Sequence, residues 1–211
     1  MNILFQGDSI TDCGRDRNDP LSLGDGYVKI INETFADKFP GTSFSILNRG
    51  IGGDRVAELT KRWEKDCLAL KPDVLTIYIG VNDCWRRYDS NDPISAEDFE
   101  KNYRNLIDRT LNALPEIKII IMEPFILAHR DPDVRAERLH FREDLDPKIH
   151  AVRRLSVDYR FPFVPLDGLF AKAASLVGYY PLTTDGIHPT EEGHKLIAKA
   201  WLRAYTHIIG V

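Results

Sequence analysis

The stretch Ile117-Lys-Ile-Ile-Ile-Met122 decides the fold. Its last four residues are apolar without interruption, which is typical of a parallel β-strand that is covered on both faces. Further short apolar runs predict four more strands, at Ile3–Phe5, Phe44–Leu47, Val74–Ile79 and Phe163–Leu166.

Helical patterns lie between these runs. Apolar residues recur at spacings of three and four within the stretches Phe99–Leu114, Leu196–Tyr205 and Val28–Phe39. Strands that alternate with helices pair in parallel through right-handed crossovers. The sequence therefore predicts an α/β fold, a three-layer α/β/α sandwich around a five-stranded parallel sheet, built as one domain over residues 1–211.

Composition excludes several classes of protein. The 211 residues carry 28 Lys+Arg against 32 Asp+Glu, a formal net charge of −4, whereas a nucleic-acid-binding domain is expected to be basic. No apolar run approaches the roughly 20 residues of a membrane span, and the first residues lack the pattern of a secretory signal. Three cysteines without C-x-x-C spacing predict reduced thiols rather than disulfides or a zinc site. We therefore expect a cytoplasmic protein that binds neither nucleic acid nor membrane.

Short polar segments follow the predicted strands. Gly7-Asp-Ser-Ile-Thr11 follows the first strand, the segment Asn48–Asp54 the second, and Gly80-Val-Asn-Asp83 the third. A fourth segment, Asp185-Gly-Ile-His-Pro189, precedes the C-terminal helical pattern. Ligands of parallel sheets bind outside the carboxyl ends of the strands, so the first three segments are expected to converge at one edge.

These segments hold the groups that acyl transfer requires. A nucleophilic serine needs an adjacent base, and the base needs a carboxylate that fixes its tautomer. Ser9, His188 and Asp185 can supply these three groups. The oxyanion of the tetrahedral intermediate needs preorganised donors, and the backbone N–H of Gly53 and the side-chain amide of Asn82 can supply them.

Each of these residues alone also has a purely structural interpretation. Ser9 can cap a helix, His188 can be a structural histidine and Asn82 can bond its own loop. Their joint occurrence at strand ends favours the catalytic interpretation. Other motifs do not fit, because the sequence lacks G-x-S-x-G, G-x-G-x-x-G, a phosphate loop and H-E-x-x-H. We predict neither a metal nor a cofactor, and interpret the acidic residues Asp12, Asp16 and Asp19 as a solvated loop.

The four segments resemble the four conserved blocks of the SGNH (GDSL-type) hydrolase superfamily. The match comprises Gly7–Thr11, Asn48–Asp54 with Gly53 in the position of the family's glycine, Gly80–Asp83 and Asp185–Pro189. The resemblance implies a flavodoxin-like fold, with Ser9 as nucleophile, His188 as general base and Asp185 as its partner. It also implies an oxyanion hole formed by the N–H groups of Ser9 and Gly53 and the side chain of Asn82. The block that holds Ser9 departs from the family's older name, because Ile10 stands in place of leucine.

A narrower resemblance extends to the flanking segments. The stretches Thr11–Arg15, Gly24–Val28, Arg62–Asp66 and Asn82–Asp89 are similar to the small intracellular SGNH acetylesterases that act on xylo-oligosaccharides. We expect Trp85 and Tyr88 to stack on a sugar and Arg86 and Asp8 to contact substrate, although Trp85 can equally be a core anchor. Residues 10–26 and 84–95 are polar and are predicted as loops, where a lipase would present an apolar trough.

The sequence therefore favours a serine ester hydrolase that removes acetyl groups from small carbohydrates through an acyl-enzyme. A lipase, thioesterase or lysophospholipase of the same fold, acting on longer acyl chains, is the alternative. A carbohydrate-binding protein without turnover is a third interpretation. The predicted partner is a small ester, and a homo-oligomer is left open.

Overall fold

Five parallel strands form one sheet in the computed structural model, which describes residues 1–38, 41, 43–128 and 132–209. The strands are β1 Asn2–Gly7, β2 Ser45–Asn48, β3 Val74–Tyr78, β4 Lys118–Met122 and β5 Phe163–Val164. Their order is β2-β1-β3-β4-β5, and every pairing is parallel. All five predicted strands are confirmed, but the fifth stops at Val164 because a helix begins at Leu166.

Helices connect the strands. In the described residues they are α1 Ser9–Asp12, α2 Tyr27–Lys38, α3 Val56–Asp66, α4 Val81–Asp89, α5 Ala96–Ala113, α6 Pro132–Asp158, α7 Leu166–Val177 and α8 Glu191–Ile209, with a short 3-10 helix at Leu68–Leu70. The three predicted helices are confirmed as α2, α5 and α8, although Phe39, at the end of the first pattern, lies outside the described residues. The loop predicted at 84–95 is wrong over its first half, because α4 continues to Asp89.

The sheet is covered on both faces, as its apolar strands predict. Helices α2, α7 and α8 contribute to one core, and α3, α5 and the end of α6 contribute to the other. Trp201 in α8 is fully buried and donates from Nε1 to Thr76 Oγ1 of β3 at 2.8 Å. Trp63 in α3 is fully buried on the opposite face and donates to Thr110 Oγ1 at 2.9 Å. The predicted α/β/α sandwich is therefore confirmed.

The register of the sheet brings three strand ends to one edge. Phe5 of β1 pairs with Asn48, the last residue of β2, and Gly7 pairs with Tyr78, the last residue of β3. The polar segments that follow these strands therefore begin side by side. No helix in the described part of the chain has the length and apolarity that crossing a bilayer would require.

Candidate active site

Ser9 is the first residue of the four-residue helix α1, directly after β1. Asp8 caps this helix, since its Oδ1 accepts the N–H of Ile10 at 3.0 Å. The N–H groups of the first helical turn have no carbonyl partner within the helix. The Ser9 N–H therefore has no carbonyl partner within α1, as a donor for an oxyanion requires.

His188 lies within reach of Ser9, in the turn that precedes α8. Its Nε2 is 3.0 Å from Ser9 Oγ, and its Nδ1 is 2.8 Å from Asp185 Oδ2. Asp185 Oδ1 also accepts the backbone N–H groups of Ile187 and His188, at 2.9 and 2.7 Å. The turn therefore fixes the carboxylate, and the carboxylate fixes the ring, so the structure brings all three predicted side chains into one hydrogen-bonded chain.

The carboxyl group of Asp185 is held in its charged form. Burial by itself would raise its pKa, but the hydrogen bonds from the His188 ring, from the His188 N–H and from the Ile187 N–H outweigh burial. The pKa of Asp185 is consequently well below its usual value. An ionised Asp185 requires that His188 Nδ1 carry a proton, which leaves Nε2 free to accept one from Ser9.

The two other predicted donors, Gly53 and Asn82, are linked through the turn that follows β2. Gly53 adopts φ +87°, a left-handed conformation that glycine accepts readily. A Cβ placed on its neighbour Gly52 would lie 3.7 Å from the Cβ of Ser9, so this turn lies next to the nucleophile. Asn82, in the first turn of α4, donates one amide hydrogen to the carbonyl of Asp54 at 3.1 Å. An amide has two donor hydrogens, so the second is available to a ligand.

The prediction that Asp12 belongs to a solvated loop is wrong. Asp12 is buried rather than solvated, with 7% of its surface exposed, and its Oδ2 accepts the N–H of Gly52 at 3.0 Å. The same oxygen is hydrogen-bonded to the guanidinium of Arg17. The spacing from Ser9 to Asp12 is the signal that could have revealed this, because residues three apart share a helix face.

Asn48 anchors the same turn, a role that its place in the second polar segment does not indicate. It is fully buried, donates to the carbonyls of Thr11 and Leu23 at 2.6 and 2.8 Å, and accepts the N–H of Gly50 at 2.9 Å. A Cβ at Gly50 would lie 2.4 Å from the backbone nitrogen of Asp12, so only glycine fits there. The loop after β2 therefore packs directly on α1.

The predicted substrate contacts differ in their surroundings. Trp85 is half-buried, with its ring centroid 6.1 Å from that of His188 and 5.9 Å from that of Phe141. Tyr88 is 39% exposed, stacks on Phe141 at 4.4 Å and donates from its hydroxyl to the carbonyl of His140. Arg86 is ion-paired with Asp89. Its Nη2 would lie 3.4 Å from a Cβ on Gly53.

Asp8 does not fit the predicted role of a substrate contact, and the structure corrects that prediction. Its side chain is buried, with 1% of the residue exposed, and it caps α1. Burial raises the pKa of this carboxyl to about 7 against the opposing hydrogen bond from Ile10. Asp8 therefore stabilises the short helix that begins at Ser9.

A second histidine near the site is structural. His194 is buried, accepts the backbone N–H of Tyr27 on Nδ1 at 3.2 Å, and has Nε2 3.3 Å from Cys13 Sγ. Burial and the charge of His188 lower the pKa of His194 to about 4. This ring is therefore neutral at physiological pH. Within the described residues, no three His, Cys, Asp or Glu side chains are grouped as metal ligands would be.

Comparison with known proteins shows the family to which the chain belongs. The model of the GDSL-like lipase/acylhydrolase family matches residues 5–196. The chain belongs to this family. Membership makes the protein an esterase, and the four polar segments at the sheet edge all lie within the matched range.

Similarity to individual proteins extends over nearly the whole chain. An acetylxylan esterase of Geobacillus stearothermophilus is 33% identical in an alignment that covers 95% of this chain and 92% of the relative. A solved structure of an acetylxylan esterase from that organism gives a TM-score of 0.84 at 32% identity, covering 96% and 93% of the two chains. A solved structure described as a GDSL-like lipase, from Parabacteroides merdae, gives a TM-score of 0.89 at 38% identity. The match covers 96% of this chain and 94% of that chain. The predicted resemblance to SGNH hydrolases and to the acetylesterases is thus confirmed.

Proposed function

We propose that the protein is a one-domain serine esterase that removes acetyl groups from short carbohydrates such as xylo-oligosaccharides. The observation that carries this proposal is the hydrogen-bonded chain from Ser9 through His188 to Asp185, beside the donors of Gly53 and Asn82. The likeness to acetylxylan esterases supports the acetyl group and the carbohydrate.

Acylation begins when Ser9 Oγ attacks the acetyl carbonyl and His188 Nε2 takes the hydroxyl proton. The new Oγ–C bond gives a tetrahedral intermediate, whose oxyanion is bound by the N–H groups of Ser9 and Gly53 and by Asn82 Nδ2. Collapse of the intermediate breaks the bond to the sugar oxygen, which receives the proton from His188. Water, deprotonated by His188 Nε2, then attacks the acyl carbon. Collapse of this second intermediate breaks the Oγ–C bond, releases acetic acid and returns the proton from His188 to Ser9 Oγ.

The leaving sugar is accommodated by Trp85, Tyr88 and Arg86 of α4. Support for this placement comes from the short distance between the Trp85 and His188 rings and from the exposed edge of Tyr88. An aromatic face can stack on the apolar side of a sugar ring, while a guanidinium can donate to its hydroxyls. These contacts would favour a polar alcohol over a long acyl chain.

A cytoplasmic location is part of the proposal. Its support is that Cys13, Cys67 and Cys84 are all free thiols in the structure, as is usual in a reducing compartment. Fractionation of the native host cell tests it, and recovery outside the cytoplasm would contradict it.

The decisive experiment compares two substrate series. Acetylated xylo-oligosaccharides should be hydrolysed, and activity on p-nitrophenyl esters should fall steeply from acetate to butyrate and be negligible at octanoate. Ser9→Ala should fold normally and lose about 10⁴-fold or more in kcat on every substrate. Activity that rises toward octanoate would instead support a lipase or thioesterase, and a near-wild-type rate of Ser9→Ala would refute the serine mechanism.

A further inference from the structure

We propose that Asp12 is a positioning residue for the oxyanion hole, which holds the Gly52–Gly53 turn in register with Ser9. The inference rests on the proposed function, because it assigns a role within the same acyl transfer. Asp12 itself does not touch the reacting atoms; it acts through the backbone N–H of Gly52.

One carboxylate oxygen joins the nucleophile helix to the turn. Asp12 is the last residue of α1 and Ser9 is the first, so both move with the same short helix. The side chain of Asp12 is only 10% exposed, and its Oδ2 accepts the N–H of Gly52 at 3.0 Å. A charge-assisted hydrogen bond of this kind is stronger than one between neutral groups.

Other contacts hold the chain that leads into the turn. Asn48 donates to the carbonyl of Thr11 at 2.6 Å, and Arg15 Nη2 donates to the carbonyl of Gly50 at 3.0 Å.

Two backbone bonds continue this support into the turn. The Ile51 N–H donates to the Gly7 carbonyl at 3.1 Å, and the Asp54 N–H donates to the Ile51 carbonyl at 3.2 Å. Between these bonds, Asp12 supplies the contact that reaches from α1 to Gly52, one residue before the Gly53 N–H.

The orientation of the Gly53 N–H therefore depends on Asp12. Release of the Gly52 N–H would let the peptide plane between Gly52 and Gly53 rotate within the closed turn, and Gly53, at φ +87°, has the freedom to follow. A misaligned donor matters most when negative charge has developed on the substrate oxygen. The loss should consequently appear in kcat rather than in KM.

Arg17 explains how an acidic side chain can lie beside an oxyanion. Its guanidinium is hydrogen-bonded to the same Oδ2 atom that accepts from Gly52. Pairing neutralises the carboxylate, so Asp12 can hold the turn without repelling the charge that forms nearby.

Three variants separate the hydrogen bond from the charge. Asp12→Ala removes the acceptor, and we expect kcat on p-nitrophenyl acetate to fall about 10- to 100-fold, less than the 10²–10³-fold that loss of a whole donor costs. KM should stay within about twofold. Asp12→Asn keeps an acceptor oxygen and should recover most of kcat. Asp16→Asn, an exposed residue of the same loop that bonds its own turn, is the matched control and should equal the wild type.

A measurement on the wild-type protein does not depend on how any variant folds. The Gly52 amide should exchange its hydrogen with solvent more slowly than an open loop amide, because Asp12 accepts its hydrogen bond. NMR-detected exchange should show this protection in the wild type and in Asp12→Asn, and its loss in Asp12→Ala.

The outcomes distinguish the two levels of the proposal. A wild-type protein that hydrolyses no acetyl ester overturns the proposed function, and this inference with it. An active wild type with an unprotected Gly52 amide overturns only the inference. So does an Asp12→Ala variant with normal kcat, or an Asp12→Asn variant as damaged as Asp12→Ala.

Discussion

His188 and Asp185 contribute unequally to the hydrogen-bonded chain that ends at Ser9. His188 Nε2 is the atom that accepts the proton, while Asp185 bonds the opposite nitrogen of the ring. Because Asp185 orients the base without replacing it, Asp185→Asn should lose less kcat than His188→Ala. Steady-state kinetics on p-nitrophenyl acetate measures both losses. An equal or larger loss in Asp185→Asn would mean that Asp185 does more than orient the ring.

Trp85 offers a test of the proposed sugar contact. Removing its ring should reduce turnover of acetylated oligosaccharides much more than turnover of p-nitrophenyl acetate, because only the sugar can use stacking to orient its ester. Parallel assays of Trp85→Ala on the two substrates measure the difference. Trp85 also packs against Phe141, so a purely structural role predicts equal losses on both substrates and a lower Tm.

Sequence reasoning at this scale located the residues whose partners are nearby or whose chemistry is distinctive. Asp185 and His188 are three residues apart, and their contact follows from that spacing. Asp12 was misassigned because its partner, Gly52, is 40 residues away, and only the packing of the second strand's loop on α1 brings them together. Asp8 was misassigned because a cap and a substrate contact are indistinguishable in a sequence.

Among the elements, helix α5 has an N-terminus that can be tested alone. Ser95 is its N-cap, and its Oγ accepts the N–H of Asp98 at 3.0 Å. Ser95→Ala should lower the free energy of unfolding by about 0.5–2 kcal/mol, and Ser95→Gly by only a few tenths. Urea denaturation measures this, with esterase activity as the control. An unchanged stability would show that the cap contributes nothing measurable.

The strands were predictable as elements because buried parallel strands are apolar throughout. Helices with a clear apolar stripe, such as α5, were predictable for a similar reason. Helix α4 was not, because residues 85–89 are polar or aromatic and read as a loop. Its first turn is fixed instead by burial, since Val81, Asn82 and Cys84 all lie beneath the surface at the end of β3.

For the molecule as a whole, buried carboxyl groups set a dependence of stability on pH. Burial raises the pKa of Asp83 to about 7, although the Val56 N–H and Lys148 oppose the shift. Between pH 4 and 7 the Asp83 carboxyl therefore binds more protons in the folded protein than in the unfolded chain, so its contribution to stability falls as pH rises through this range.

Asp83→Asn isolates this effect, because the amide keeps an acceptor for Val56 and cannot ionise. The free energy of unfolding of the variant minus that of the wild type should increase from pH 5 to pH 8, because only the wild type loses stability as Asp83 ionises. Thermal or urea denaturation across that range measures it, with the exposed Asp19→Asn as the control for loss of one charge. A difference that does not change with pH would place the pKa of Asp83 outside this window.

Cooperativity tests the proposal of one domain. The two buried tryptophans are on opposite faces of the same sheet, and Thr76 of β3 bonds one of them. Trp201→Phe and Trp63→Phe each remove the indole donor to a buried threonine hydroxyl, although Thr110 still donates to the Leu106 carbonyl at 2.7 Å. Each loss should cost about 0.5–3 kcal/mol. Both variants should still unfold in one transition by circular dichroism and by fluorescence. Separate transitions would divide the chain into independent units.

The bond between Ser9 and His188 joins residues 179 positions apart. A ribosome makes the nucleophile 179 residues before the base. While the nascent chain is still being elongated, Ser9 has no imidazole to deprotonate it and no carboxylate behind that imidazole. Ser9 therefore gains its general base only after residue 188 has been synthesised and the two distant segments have folded together.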